Sequence, residues 1–316
     1  MTNNIPTTFD RVAIIGIGLI GSSLARAIQK NSIAAYITCG DKSQEYCDKA
    51  LELGIVNEAF TDLSKAVEGA DLVILCVPVG AMKAVAEEIS ASLKKGAVIT
   101  DVGSVKEAVV NDIQSRIPAD VHFVPAHPIA GAEKSGPEAG IEDLFANRWC
   151  IITPSFTTEI KAVEKVTEFW ERCGSMIEIM DAKHHDMVLG ITSHLPHLIA
   201  YTIVGTAAEL ENDTKAEVIK YSASGFRDFT RIAASEPTMW RDIFLNNKQS
   251  VLDILQRFTE DLTELQKAIR QGDGDALFEK FAATRDIRQQ IIDQGQADYP
   301  KISRFFTESE KESKKA

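Results

Sequence analysis

Residues 11–22 read Arg-Val-Ala-Ile-Ile-Gly-Ile-Gly-Leu-Ile-Gly-Ser, an apolar run of strand-forming residues that passes straight into Gly16-x-Gly18-x-x-Gly21. Nothing else in the chain restricts its fold as tightly. A glycine triplet alone is a weak signal. Behind a buried strand and at the head of a helical pattern, it describes the first turn of a dinucleotide-binding βαβ unit. Gly16 permits the tight turn, Gly18 lets backbone approach a pyrophosphate, and Gly21 lets helix and strand pack closely. Leu19 and Ile20 open the helix, whose N-terminus offers N–H donors and the positive end of its dipole. Asp41 lies twenty positions beyond Gly21. A carboxylate there can accept from the ribose hydroxyls and would repel a 2′-phosphate, which favours NAD over NADP. Lys42 next door softens that repulsion.

The first 180 residues continue the pattern. Candidate strands at Val12–Ile15, Ala34–Cys39, Leu72–Cys76, Ala97–Asp101, His122–Val124, Cys150–Thr153 and Met176–Ile179 alternate with helical segments such as Leu19–Lys30, Ser43–Leu53, Ala81–Leu93 and Glu159–Cys173. This predicts an α/β fold of Rossmann type, a doubly wound, mainly parallel sheet. The strand interiors are rich in Val and Ile without polar alternation, as for strands covered on both faces. Val77 and Pro78 follow the strand at Leu72–Cys76, where such a sheet presents its ligand crevice.

After about Asp181 strand-like runs vanish. Val251, Leu255, Phe258, Leu262, Leu265 and Ile269 form one apolar stripe on a long helix, which requires a partner helix. The segment Gln271–Asp275 breaks that helix before a second one. Residues 1–181 are therefore expected to form the dinucleotide-binding domain and 182–316 an all-α domain. The stretch Met187–Ala208 contains no Lys, Arg, Asp or Glu. It holds His194, Pro196 and His197, which are costly in lipid, so it is expected to be a buried core helix and no membrane association is expected. This much apolar surface in a short helical domain predicts a homodimer through the C-terminal half.

Charge narrows the partners. The 316 residues carry 34 Lys and Arg against 46 Asp and Glu, a formal net charge of −12. That balance argues against nucleic acid as a partner but leaves room for a small anionic substrate at a locally positive site. Five cysteines, odd in number and without a CxxC pair, suggest free buried thiols, not a disulfide framework or a zinc site. The first ten residues lack a basic region and an apolar core, so no signal peptide is read and a cytoplasmic location is expected.

Two further positions lie on the same sheet edge. Ser104, in Thr-Asp-Val-Gly-Ser-Val-Lys, follows a strand and precedes a helical segment, where a serine also serves as a helix cap. His127, in His-Phe-Val-Pro-Ala-His-Pro, follows the next strand, at the place where a general base is wanted. His194 and His197 are spaced to share a helix face, which could suit a metal, but one nearby carboxylate (Asp186) and no open-site motif give no metal site.

From here a resemblance emerges. The run His127-Pro-Ile-Ala-Gly131-x-Glu133-Lys-Ser-Gly136 is similar to the active-site loop of prephenate and arogenate dehydrogenases. Ser193-His194-Leu-Pro196-His197 gives a second match. Gly225-Phe-Arg-Asp228-Phe-Thr-Arg231-Ile-Ala-x-Ser235-x-Pro-x-Met-Trp240-Arg-Asp242 gives a third, and much the most specific. The likeness runs in consistent order from about residue 10 to 295. It implies oxidative decarboxylation of prephenate or arogenate with a nicotinamide cofactor. It also implies a catalytic His127 on the substrate hydroxyl, Ser104 beside it, and Arg231 gripping a carboxylate. It places His197 near the substrate, makes Glu133 a gating residue, and has Trp240 reach across a dimer interface. Ala132 departs from the threonine frequent in relatives, which leaves the keto acid and the amino acid both open. A reductase of imines or a β-hydroxyacid dehydrogenase shares the two-domain layout, but relies on a lysine or threonine from the helical half. A non-catalytic NAD-sensing regulator would typically add a DNA-binding module, and no basic patch of that kind is present.

Overall fold

The computed structural model describes residues 8–132, 134–209 and 224–293. They divide into two compact units between Ile254 and Leu255. The first unit is built on a parallel sheet of β1 (Phe9–Ile15), β2 (Ala34–Gly40), β3 (Glu58–Phe60), β4 (Leu72–Leu75), β5 (Val98–Asp101) and β6 (His122–Val124) in the order 3-2-1-4-5-6. That order reverses between β1 and β4, which opens a crevice beyond their carboxyl ends. Helices α1 (Leu19–Lys30) and α6 (Ile160–Arg172) cover one face, packing Leu24, Ile28, Phe169 and Trp170 on Val12 and Ile14. Helices α4 (Val79–Ile89) and α5 (Glu107–Gln114) cover the other with Met82, Val85, Ile89 and Ile113. Between them lie α2 (Gln44–Glu52) and α3 (Leu63–Val67).

The sheet ends at β6. The expected strands at 150–153 and 176–179 do form, but as β8 (Trp149–Ile152) and β9 (Met176–Ile179) of a separate three-stranded sheet with β7 (Ala126–Pro128). Pro125 has no N–H to extend the ladder of β6, so the chain breaks there and β7 pairs antiparallel with β8 instead. His127 therefore sits within a strand, opposite Ile151, and not in a loop after one.

Helix α7 (Ala182–Leu189), a π-helical turn at Gly190–His194 and α8 (Leu195–Ala208) follow. This span is long and apolar enough to cross a membrane by length and composition, and only 22% of its most apolar window is buried. The expectation of a buried core helix fails. His185, Asp186, Leu189, His194 and Ala200 pack inward, while Met187, Ile191, Ile203 and Val204 are exposed among the described residues. The unit continues through α9 (Ser224–Thr230), a 3-10 turn at Arg231–Ala234, α10 (Pro237–Asn246) and the start of α11 (Lys248–Gln271). At the π turn, a Cβ on Gly190 would come within 2.7 Å of Ile254 Cδ1, the tip of a half-buried side chain on α11.

The second unit is the remainder of α11 and α12 (Gly274–Ile291), a hairpin that turns at Gly272 with φ +67°. Asp273 caps α12, and Lys280 bonds Asp261 at 2.8 Å. Leu262 and Ile269 of the predicted stripe are exposed, as are Phe278, Phe281 and Ile287.

Candidate active site

The carboxyl edge of the large sheet gathers the predicted residues strand by strand. After β1, Gly16 turns with φ +94°, and a Cβ there would come within 2.9 Å of the Cys76 carbonyl carbon and oxygen. A Cβ on Gly21 would collide with the Gly16 carbonyl, so the turn tolerates only glycine at both ends. Nothing lies within 4 Å of a Cβ placed on Gly18, and no side chain caps α1, which opens with Leu19 and Ile20. Open backbone in front of an uncapped helix N-terminus is the cradle a pyrophosphate requires. Asp41 stands beside it. Its Oδ2 accepts from Ile17 N and its Oδ1 from Ser43 N, both at 2.9 Å, which fixes the carboxylate while leaving lone pairs for ribose hydroxyls. Val77 and Pro78 follow β4, and no side chain caps α4 either. The residues fit a dinucleotide.

Ser104 lies one strand further along, between β5 and α5, half-buried. It does not cap α5. That helix begins at Glu107, and its first N–H groups are taken by Asp186 of α7, whose carboxylate accepts from Lys106 N at 2.7 Å and Glu107 N at 2.9 Å. Asp186 is thus held at the positive end of a helix. It accepts in turn from His185 Nδ1 at 2.8 Å, and His185 Nε2 lies 2.8 Å from His127 Nδ1. The carboxylate sets every tautomer in the row. His185 must carry its proton on Nδ1, its Nε2 must accept, and His127 must donate from Nδ1. The basic lone pair of His127 is therefore on Nε2. His127 is only 8% exposed. Burial first, then the neighbouring His185, Lys106 and His194, hold its pKa well below the ordinary imidazole value. Burial likewise lowers His185, against the pull of Asp186. The pairing of His127 with His185 spans 58 residues, and no local pattern announces it.

The helical segments complete the cluster. His194 Nδ1 accepts from Asn247 Nδ2 at 3.1 Å, since the same amide donates to the Asp186 carbonyl at 2.7 Å. Burial takes His194 down to a pKa of about 4, so its ring is neutral. His197 donates from Nδ1 to the Ser193 carbonyl at 2.8 Å, which places its acceptor at Nε2. Its ring stacks on Trp240 with centroids 3.6 Å apart. Trp240 is buried in its own chain at 6% exposure, packed with Val105 and Ile243. Because Val105 follows Ser104, this packing ties the serine to His197. Arg231 opens a 3-10 turn against α8, fastened by Tyr201 Oη donating to the Ser235 carbonyl at 2.8 Å. Glu133 lies outside the described residues. The arrangement can bind a dinucleotide at β1 and β4, and presents a neutral imidazole base beside it.

Two family models match this chain. One, described as the prephenate dehydrogenase nucleotide-binding domain, covers residues 24–179, and the prephenate dehydrogenase dimerization domain covers 181–283. A cyclohexadienyl dehydrogenase of Zymomonas mobilis is 43% identical over 282 residues, which are 89% of this chain and 96% of that protein. A prephenate dehydrogenase of Bacillus subtilis is 36% identical over 88% of this chain and 75% of its own. Among solved structures, prephenate dehydrogenase from A. aeolicus in complex with hydroxyphenyl propionate and NAD+ superposes with a TM-score of 0.83. It is 35% identical, over 89% of this chain and 98% of that one.

Proposed function

Because the chain belongs to the prephenate dehydrogenase family, we propose that it oxidises prephenate, arogenate or both with NAD, releasing carbon dioxide and yielding 4-hydroxyphenylpyruvate or tyrosine. The observation that carries this reading is the buried, neutral His127 with its basic nitrogen set by the His185–Asp186 row. Gly16, Gly18, Leu19, Ile20 and Gly21 would hold the pyrophosphate of NAD, Asp41 would hold its ribose, and Val77 and Pro78 would line the crevice. The chemistry it would supply there is acceptance of a hydride from the ring carbon that carries the hydroxyl. His127 Nε2 takes the hydroxyl proton, and Ser104 orients that hydroxyl. Asp186, through His185, stabilises the imidazolium that forms, as the aspartate does in a catalytic triad. Arg231 binds a substrate carboxylate through two parallel donors. His197, held by Ser193 and Trp240, lines the substrate pocket, and Glu133 gates it.

The reductase and β-hydroxyacid dehydrogenase alternative is not favoured, since both halves match prephenate dehydrogenase models. The domain boundary near residue 181, a homodimer through the helical half and a cytoplasmic location belong to the same reading. The dimer is supported by the exposed apolar side chains of α8, α11 and α12.

The test is an absorbance assay for NADH with NAD and prephenate, then arogenate. Turnover of at least one is expected, and its ratio gives the preference. No NADH from either acid would sink the proposal.

A further inference from the structure

Strand β7, which carries His127, has a neighbouring strand on one side only among the described residues. His127 pairs with Ile151 of β8. Ala126, one residue earlier, turns its N–H and C=O to the opposite edge, where no strand of the described residues lies. Both groups are nonetheless satisfied. Asp101 Oδ1 accepts from Ala126 N at 3.2 Å, and Lys106 Nζ donates to the Ala126 carbonyl at 2.7 Å. Lys106 and Asp101 are ion-paired with each other, and both are fully buried. Asp101 also accepts from Gly103 N at 2.8 Å, which closes the loop leading to Ser104.

Taking two charges out of water is costly, and uncharged side chains of similar size usually stabilise a core as well or better. A strand edge could also be covered by apolar packing alone were it not for its two polar backbone groups. The pair therefore substitutes for a missing strand. It does so at the residue next to His127 and from the end of β5, the strand that leads into Ser104. We infer that Asp101 and Lys106 are positioning residues for the reaction. They clamp the Ala126 peptide and so set the distance between the His127 ring and the sheet edge that holds the cofactor. Misplacement by about 1 Å costs roughly a hundredfold in rate.

The inference rests on His127 being the base, so wild-type turnover and its loss in His127→Asn are established first. Two uncharged double variants, nearly equal in size, then isolate the clamp. Asp101→Asn with Lys106→Gln keeps a donor toward the Ala126 carbonyl, whereas Asp101→Asn with Lys106→Met removes it. The methionine variant is expected to lose about 30- to 100-fold in kcat. Its KM for the acid and its Kd for NAD should stay within about threefold of wild type, because neither residue touches a ligand. The glutamine variant should retain kcat within about fivefold. Equal kcat in the two variants, or a change confined to KM, would overturn the inference. If the methionine variant does not fold, a folded glutamine variant that loses 30-fold or more does the same.

Discussion

A histidine acts as a base only while its ring is neutral, and His127 is kept neutral by burial and by cationic and imidazole neighbours. The sign of the pH effect follows. Its folded pKa is lowered, so the active neutral form persists as pH falls, and the acid limb of kcat/KM is expected below pH 6.5, the usual imidazole value. A limb at or above 6.5 in a pH–rate profile would count against His127 as the titrating base. Arg231 predicts a different signature. Replacing it with Ala removes charge-assisted hydrogen bonds and should raise KM for the acid about 10- to 100-fold. Calorimetric NAD binding should be unchanged; an unmoved KM would refute the assignment. At this scale the sequence singles out Ser104, just past β5, and His127, three residues past the end of β6, as candidates, but not the separate strand in which His127 lies. The supports of these two residues were not legible. His185, Asp101 and Lys106 are ordinary in local pattern, and what gives them meaning is contact across the sheet edge and from another helix.

Among the elements, the glycine turn and Asp41 were readable because their spacing is local and each glycine answers a specific steric demand. The second sheet was not. Its strands have the same apolar composition as those of the large sheet, and only Pro125 hints that β6 and β7 part company. The uncharged run at Met187–Ala208 misled for a related reason: composition reports that a helix needs apolar cover, not where the cover comes from. The π turn at Gly190 offers a stability test. Gly190→Ala should change urea stability by less than about 1 kcal/mol, because the new methyl meets only the tip of the half-buried Ile254 side chain, which can turn aside. A loss of about 2 kcal/mol or more would mean that the tip cannot move.

The whole molecule sets a net charge of −12 against an anionic substrate, so on the proposed reading attraction is local, at Arg231 for the substrate and at the N-terminus of α1 for the cofactor. It also leaves Ile203, Val204, Leu262, Ile269, Phe278 and Phe281 exposed. Light scattering at micromolar concentration should give a mass near twice the 34.6 kDa of one chain. A single-chain mass would mean that these faces are covered by something other than a second copy. The account as a whole turns on one proton acceptor. Steady-state kinetics of His127→Asn beside wild type, with NAD and whichever acid is turned over, measure it most directly. A fall in kcat of about 10²- to 10⁴-fold with KM nearly unchanged is predicted. Wild-type turnover in that variant would contradict it.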